Sequence, residues 1–204
     1  MIQRRNVGHN ILHQPDLFRN GIQFLQEPIG GFGVWNGQFE QPGFDRATAA
    51  GGWEVYPDNA TSVLERVAGG AAGNWCFRGG NSAANQRGGY IWQLCYMPVD
   101  ENRTYNLYSK AMSTTGAELL YVGCVCYTAA KAYLGVVSTV AGVAVPAAWT
   151  AYLGTIGPAA PPATVAWIKT TRYARVFAWL QYSQVLAANT YVYWDDVGFH
   201  ASNL

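Results

Sequence analysis

Thr104-Tyr105-Asn106-Leu107-Tyr108-Ser109-Lys110-Ala111-Met112 alternates at a period of two residues, and that alternation decides the fold. Successive side chains of an extended strand point to opposite faces, so this period belongs to a strand with one side buried. The same signature recurs to either side. Upstream, residues 52–56 stop at Pro57-Asp58-Asn59, 62–67 at Gly69-Gly70, 75–78 at Gly79-Gly80-Asn81 and 90–96 at Met97-Pro98. Downstream, 119–127 and 132–138 read as a hairpin, followed by strands at 148–156, 175–182 and 190–200. Short aromatic and β-branched runs between turn residues predict an all-β, antiparallel jelly-roll β-sandwich. No βαβ alternation is present, which disfavours a parallel sheet.

The strand pattern covers residues 35–204 and leaves 1–34 as an extended N-terminal arm. Within the arm, Phe18, Ile22 and Leu25 share one face of a short helical turn that Gly21 weakens, and Phe24 adds further apolar surface. Such an arm needs a surface to lie on, either its own sandwich or a neighbouring subunit. Three segments read as long loops: 41–51, 79–89 and 157–163. The second, Gly79-Gly80-Asn81-Ser82-Ala83-Ala84-Asn85-Gln86-Arg87-Gly88-Gly89, is small and polar and is expected to be exposed and mobile.

Half of the 204 residues are hydrophobic, enough for one sizeable core, while only 12% are charged and the net charge is +1. This balance gives no electrostatic reason to expect nucleic acid or an anionic membrane as partner. The long charge-free stretch 132–168 is broken by glycines and prolines and does not read as membrane-spanning. Met1-Ile-Gln-Arg-Arg-Asn-Val-Gly-His-Asn has arginines but no apolar run after them, so no signal peptide is expected there. Cys76, Cys95, Cys124 and Cys126 lack zinc-site spacing and are read as buried apolar thiols.

Catalytic patterns are missing too. His9 and His13 are four apart, but Gly8, Asn10 and Pro15 argue against the helix that would make them a metal pair. There is no Gly-x-Ser-x-Gly elbow and no phosphate-cradling loop. The adjacent acids Asp100-Glu101 and Asp195-Asp196 point to opposite faces if extended, so neither pair converges as glycosidase carboxylates must. No enzyme activity is expected. Aromatic residues are abundant, with eight Trp and thirteen Tyr. Flat rings stack on pyranose faces, which makes Trp75, Tyr90, Trp92, Tyr121, Trp179 and Tyr182 candidates for a glycan platform. Rings in strands also serve as core or subunit interface, and the sequence leaves that choice open.

Three segments, in order, resemble carbohydrate-binding modules of the family 4 and 9 type, which are galactose-binding-like jelly rolls. They are Asn36-Gly37-Gln38-Phe39-Glu40 with Gly52-Trp53; Tyr90-Ile91-Trp92-Gln93 followed by Asn102-Arg103-Thr104-Tyr105-Asn106-Leu107; and Thr190-Tyr191-Val192-Tyr193-Trp194-Asp195-Asp196-Val197-Gly198-Phe199. Asn102-Arg103 stands where the family usually has a Gly before the Tyr. The resemblance implies a structural calcium, with Glu40 and Asp196 as its carboxylates and backbone carbonyls completing the shell. The alternative is that Asp195 and Asp196 cap a strand end or bond loop amides.

Two functions follow. One is a non-enzymatic virion protein of a tailed phage, a capsid cement (decoration) or tail-associated subunit that binds neighbouring virion proteins through jelly roll and arm. It would be assembled in the host cytoplasm as a homo-oligomer, and a trimer would suit a capsid threefold axis. The charge-poor surface and the arm point this way. The other is a carbohydrate-binding module that recognises a glycan through exposed aromatics.

Overall fold

β6 (Tyr105–Ser113) buries every second residue, Tyr105, Leu107, Ser109, Ala111 and Ser113, as the period-two pattern requires. The computed structural model describes residues 34, 37–42, 50–161, 163–183 and 186–202. The arm residues Phe18, Ile22, Phe24 and Leu25 lie outside the described residues, as does most of loop 41–51. All regular elements among the described residues are strands. The others are β1 (Trp53–Pro57), β2 (Ser62–Ala68), β3 (Trp75–Asn81), β4 (Gly89–Gln93), β5 (Met97–Pro98), β7 (Leu119–Tyr127), β8 (Tyr133–Ala144), β9 (Thr150–Gly157), β10 (Val165–Ala166), β11 (Tyr173–Leu180) and β12 (Thr190–Ala201).

They form two six-stranded sheets. The front sheet runs β1-β4-β11-β7-β8, with β5 also paired to β11; the back sheet runs β10-β9-β6-β12-β3-β2. Pairing is antiparallel throughout except for the two-residue parallel contact of β10 with β9. This is the expected jelly-roll sandwich. The predicted hairpin is present, though β8 continues to Ala144 and shifts register three times against β7.

Between the sheets lies one apolar core. The rings of Phe39, Trp53, Phe77 and Trp194 meet at 5.3–5.7 Å, and Tyr105 stacks on Phe199 at 5.2 Å. Each large side chain removed from water contributes about 1.5–3 kcal/mol. Cys76, Cys124 and Cys126 are buried, Cys95 is partly buried, and all are free thiols. Burial pushes the Cys76 thiol up to about 12, so it is protonated and inert at neutral pH.

The loop expectation for 79–89 needs correcting at its start. Gly79, Gly80 and Asn81 are buried members of β3, opposite Val192, Tyr191 and Thr190 of β12. A Cβ on Gly79 would sit 2.4 Å from Leu180, and one on Gly80 only 2.1 Å from the Thr190 carbonyl. The glycines are there for close approach, not for a turn. The rest of the loop is tethered: Ser82 N–H donates to Thr61, Asn85 N–H to Leu186 and Gly88 N–H to Gln181.

Candidate functional site

The alternation that sends Ile91, Val176, Ala178 and Val122 into the core sends their neighbours to the outer side of the front sheet. Register then lines those neighbours up: Tyr56 opposite Tyr90, Tyr90 opposite Trp179, Trp179 opposite Tyr121, and Trp92 opposite Phe177. The rings touch in a continuous ribbon. Trp92 meets Tyr56 at 4.3 Å and Tyr90 at 5.2 Å; Tyr90 meets Trp179 at 5.5 Å; Tyr182 meets Trp179 at 4.8 Å and Tyr121 at 4.7 Å. A second group continues it, with Tyr96 against Tyr127 at 4.8 Å and Tyr173 at 6.3 Å. Val125, Tyr127 and Phe177 form an apolar cluster separate from the core, edged by half-buried Trp92, Tyr96, Tyr121 and Tyr173.

Strand phase alone would send Tyr182 inward, because it lies three residues after the outward Trp179. Gln181 resets the phase by adopting a left-handed backbone, φ 55°. This conformation is costly for a non-glycine residue. It is held because Gln181 Nε2 donates to Thr190 Oγ1 at 2.7 Å while its carbonyl accepts Gly88 N–H at 3.0 Å.

Polar groups sit among the rings. Glu54, from β1, accepts hydrogen bonds from Trp92 Nε1 at 2.6 Å, Arg175 at 2.5 Å and the Tyr56 hydroxyl at 3.4 Å. Burial pushes the Glu54 carboxyl up, but hydrogen bonds from Arg175 and Trp92 and the Arg175 charge outweigh it and hold the group below its ordinary value. Arg175 is nearly buried, donates to the Gln93 carbonyl, and lies 5.0 Å from the Trp92 ring centroid and 5.3 Å from that of Tyr96. The Trp179 indole N–H and Arg87 Nε are buried donors with no hydrogen-bond partner among the described residues. Unsatisfied donors of this kind call for a ligand or water.

Of the six rings singled out in the sequence, the structure brings together Tyr90, Trp92, Tyr121, Trp179 and Tyr182. Trp75 stands apart on the back sheet, its ring centroid 3.6 Å from the Arg66 guanidinium. Sequence reasoning missed Tyr56, Glu54, Arg175, Phe177 and Tyr96. The spacing 173/175/177/179 on one strand was the available signal for two of them.

Glu40 and Asp196 are engaged by different partners. Glu40 Oε1 accepts the amides of Asn74 at 2.7 Å and Trp75 at 3.0 Å. Asp196 sits at a bulge with φ 52° and pairs with Lys110 at 3.0 Å. The acid sharing the Glu40 turn is Asp195, whose Oδ2 accepts the amides of Ala71 at 2.7 Å and Ala72 at 3.0 Å. Bonding to loop amides is thus realised by Asp195. Its Oδ1 is buried without a partner among the described residues, and burial, reinforced by the Asp196 charge, raises its carboxyl despite those amides. A buried, unpartnered carboxylate oxygen on a turn that a second carboxylate, Glu40, also binds suits a hard cation. No group of three or more His, Cys, Asp or Glu that could hold a metal occurs among the described residues, so backbone carbonyls would have to complete any shell.

No protein-family model matches the chain, and no curated protein sequence matches it. Solved structures do. The CBM22-1 xylan-binding domain of Paenibacillus barcinonensis Xyn10C superposes with a TM-score of 0.54 at 10% identity, covering 86% of this chain and 97% of that one. A CBM4 domain gives 0.50 at 15% identity, covering 83% and 99%. The enzymatically active domain of tailspike protein 4 of bacteriophage CBA120 gives 0.54 at 11% identity, covering 83% of this chain and 21% of that one. At these identities the likeness concerns architecture, and the chain has the jelly-roll fold of carbohydrate-binding domains.

Proposed function

We propose that this chain is a non-enzymatic carbohydrate-binding module that holds a glycan on the outer face of its front sheet. The observation that carries the reading is the ribbon Trp92–Tyr56–Tyr90–Trp179–Tyr182–Tyr121, all but Tyr182 mounted on strands and turned away from the core. Rings on rigid elements present a pre-shaped apolar surface to pyranose faces, and pre-organisation lowers the cost of binding. The neighbouring xylan-binding domain supports the same use of the fold. Glu54 accepts three hydrogen bonds and so serves as a fixed anion that orients Trp92 and Arg175, not as a proton shuttle. Affinity electrophoresis against a polysaccharide panel tests this. Trp92→Ala and Trp179→Ala should each weaken binding at least about tenfold with an unchanged circular-dichroism spectrum. Undiminished binding by the double variant would overturn the reading.

The second reading places the module in a tailed-phage virion, with the arm binding neighbouring virion subunits in a homo-oligomer. The phage tailspike neighbour favours it, and it is compatible with glycan recognition. Light scattering of a chain lacking residues 1–34 tests the arm: loss of assembly with a folded sandwich is expected.

A calcium ion is proposed at the turn 70–75, held by Asp195 and Glu40 with backbone carbonyls, where it would neutralise a buried carboxylate. A chelator should then lower the melting temperature, and Asp195→Asn should abolish that response. A chelator without effect on the wild-type chain would remove the site.

A further inference from the structure

We propose that the glycan held on the front face is an acidic one, a polysaccharide bearing carboxylates such as a uronic-acid polymer. This rests on the reading of the face as glycan-binding and adds the substrate class. Three cations border the rings. The guanidinium carbon of Arg87 lies 4.3 Å from the Tyr182 ring centroid and 5.8 Å from that of Trp179. Lys131 Nζ lies 4.9 Å from the Tyr96 centroid and 5.7 Å from that of Tyr173. Arg175 stands between the two ring groups.

Glu54 neutralises Arg175 only. Neither Arg87 nor Lys131 pairs with a carboxylate among the described residues, and every other ion pair there, Arg78–Glu65, Lys110–Asp196 and Arg172–Glu101, lies elsewhere. Asp58 lies on the turn whose amide bonds Gly88, beside Arg87, yet no ion pair forms. The balance of fixed charge on the rings is therefore positive, in a chain whose net charge is only +1.

The geometry suits a uronate. A pyranose stacked on one ring directs its equatorial substituents sideways, toward the neighbouring rings, and the cations lie over such neighbours, Arg87 over Tyr182 and Lys131 over Tyr96. Stacking on an aromatic ring holds the Arg87 guanidinium in a plane, leaving its donor edge ready for a bidentate carboxylate contact. Arg87 Nε is buried and has no partner among the described residues, so the protein itself leaves that donor unsatisfied. From Trp179 to Tyr173 the strand covers about 20 Å, so the two cations address different residues of one extended chain rather than a single sugar.

The test titrates the full chain with polygalacturonate, alginate and hyaluronan, each alongside its carboxyl-reduced counterpart, by isothermal calorimetry. At least one acidic polymer should bind tenfold or more tightly than its reduced form, and added salt should erase much of the difference. Arg87→Gln with Lys131→Gln should abolish the preference, while Trp92→Ala should weaken binding of acidic and reduced forms alike, by at least about tenfold. Equal binding of acidic and reduced forms, or binding of neutral glycans alone, would overturn the acidic assignment and leave the glycan reading standing. Binding of none of the polymers, acidic or reduced, would overturn the acidic assignment, and failure against the wider polysaccharide panel as well would overturn the glycan reading. Thermal melts of each variant show whether a loss is one of folding.

Discussion

On the back sheet the outward side mixes paired polar groups, Lys110 with Asp196, Arg78 with Glu65, Asn106 within 3.4 Å of His200, with scattered apolar groups such as the exposed Leu153 and the Trp75 ring under Arg66. On the front sheet the equivalent positions carry Tyr56, Tyr90, Trp92, Phe177, Trp179 and Tyr121. The same strand alternation generates both surfaces. A mixed face whose apolar groups are scattered needs nothing further to explain it. A sheet paved with rings keeps apolar area in contact with water, which folding does not require and which marks a surface made for contact.

The comparison is broken most severely from inside. Trp194 is fully buried and touches Phe39 and Trp53. Trp194→Ala should cost about 3–5 kcal/mol and lower the melting temperature on the order of 10 °C, whereas Trp92→Ala on the ring face should lose glycan with a far smaller thermal shift. Equal thermal losses at the two tryptophans would mean that the front ribbon is a second core.

Arg175 sharpens the contrast, because it is a charge that behaves like a core residue. Arg175→Ala should cost about 2–3 kcal/mol, less than a fully buried pair because Glu54 is partly in water. It should also change the pH dependence. The Glu54 carboxyl is held below its ordinary value of 4.5, so its ionisation contributes stability that is present above that value and is lost as pH falls through the folded value. Without Arg175 only burial and the weaker Trp92 and Tyr56 bonds remain, and denaturant melts between pH 3 and 6, roughly spanning the carboxylate range, should show a shallower or reversed slope. The smallest effect belongs to the back sheet: Lys110→Ala should leave both melting temperature and glycan binding essentially unchanged.

Much of this was legible in the residues. Alternation located the strands, and the spacing of Tyr90 with Trp92 put both on one face. What alternation does not encode is which sheet a strand joins, so Trp75 read like Trp92 although β3 carries it to the back. It does not encode the left-handed Gln181 that turns Tyr182 outward either. Nor does it reveal the bulge that separates Asp195 from Asp196 and gives one to a buried turn and the other to Lys110. Arg175 was overlooked because an arginine in a strand reads as solvated, and only the contacts with Glu54, Trp92 and Tyr96 show otherwise.

The rings of β4 and β11 stand in the middle of a sheet, not on its loops. Backbone amides there are expected to exchange with solvent only when the whole sandwich opens, so the platform exists wholly or not at all. A polymer seated on it would have no affinity for the opened chain, and its occupancy would register as added resistance to heat, about 2.7 kcal/mol at a hundredfold excess over Kd. A label-free thermal shift screen is thus a direct assay for whatever this surface holds.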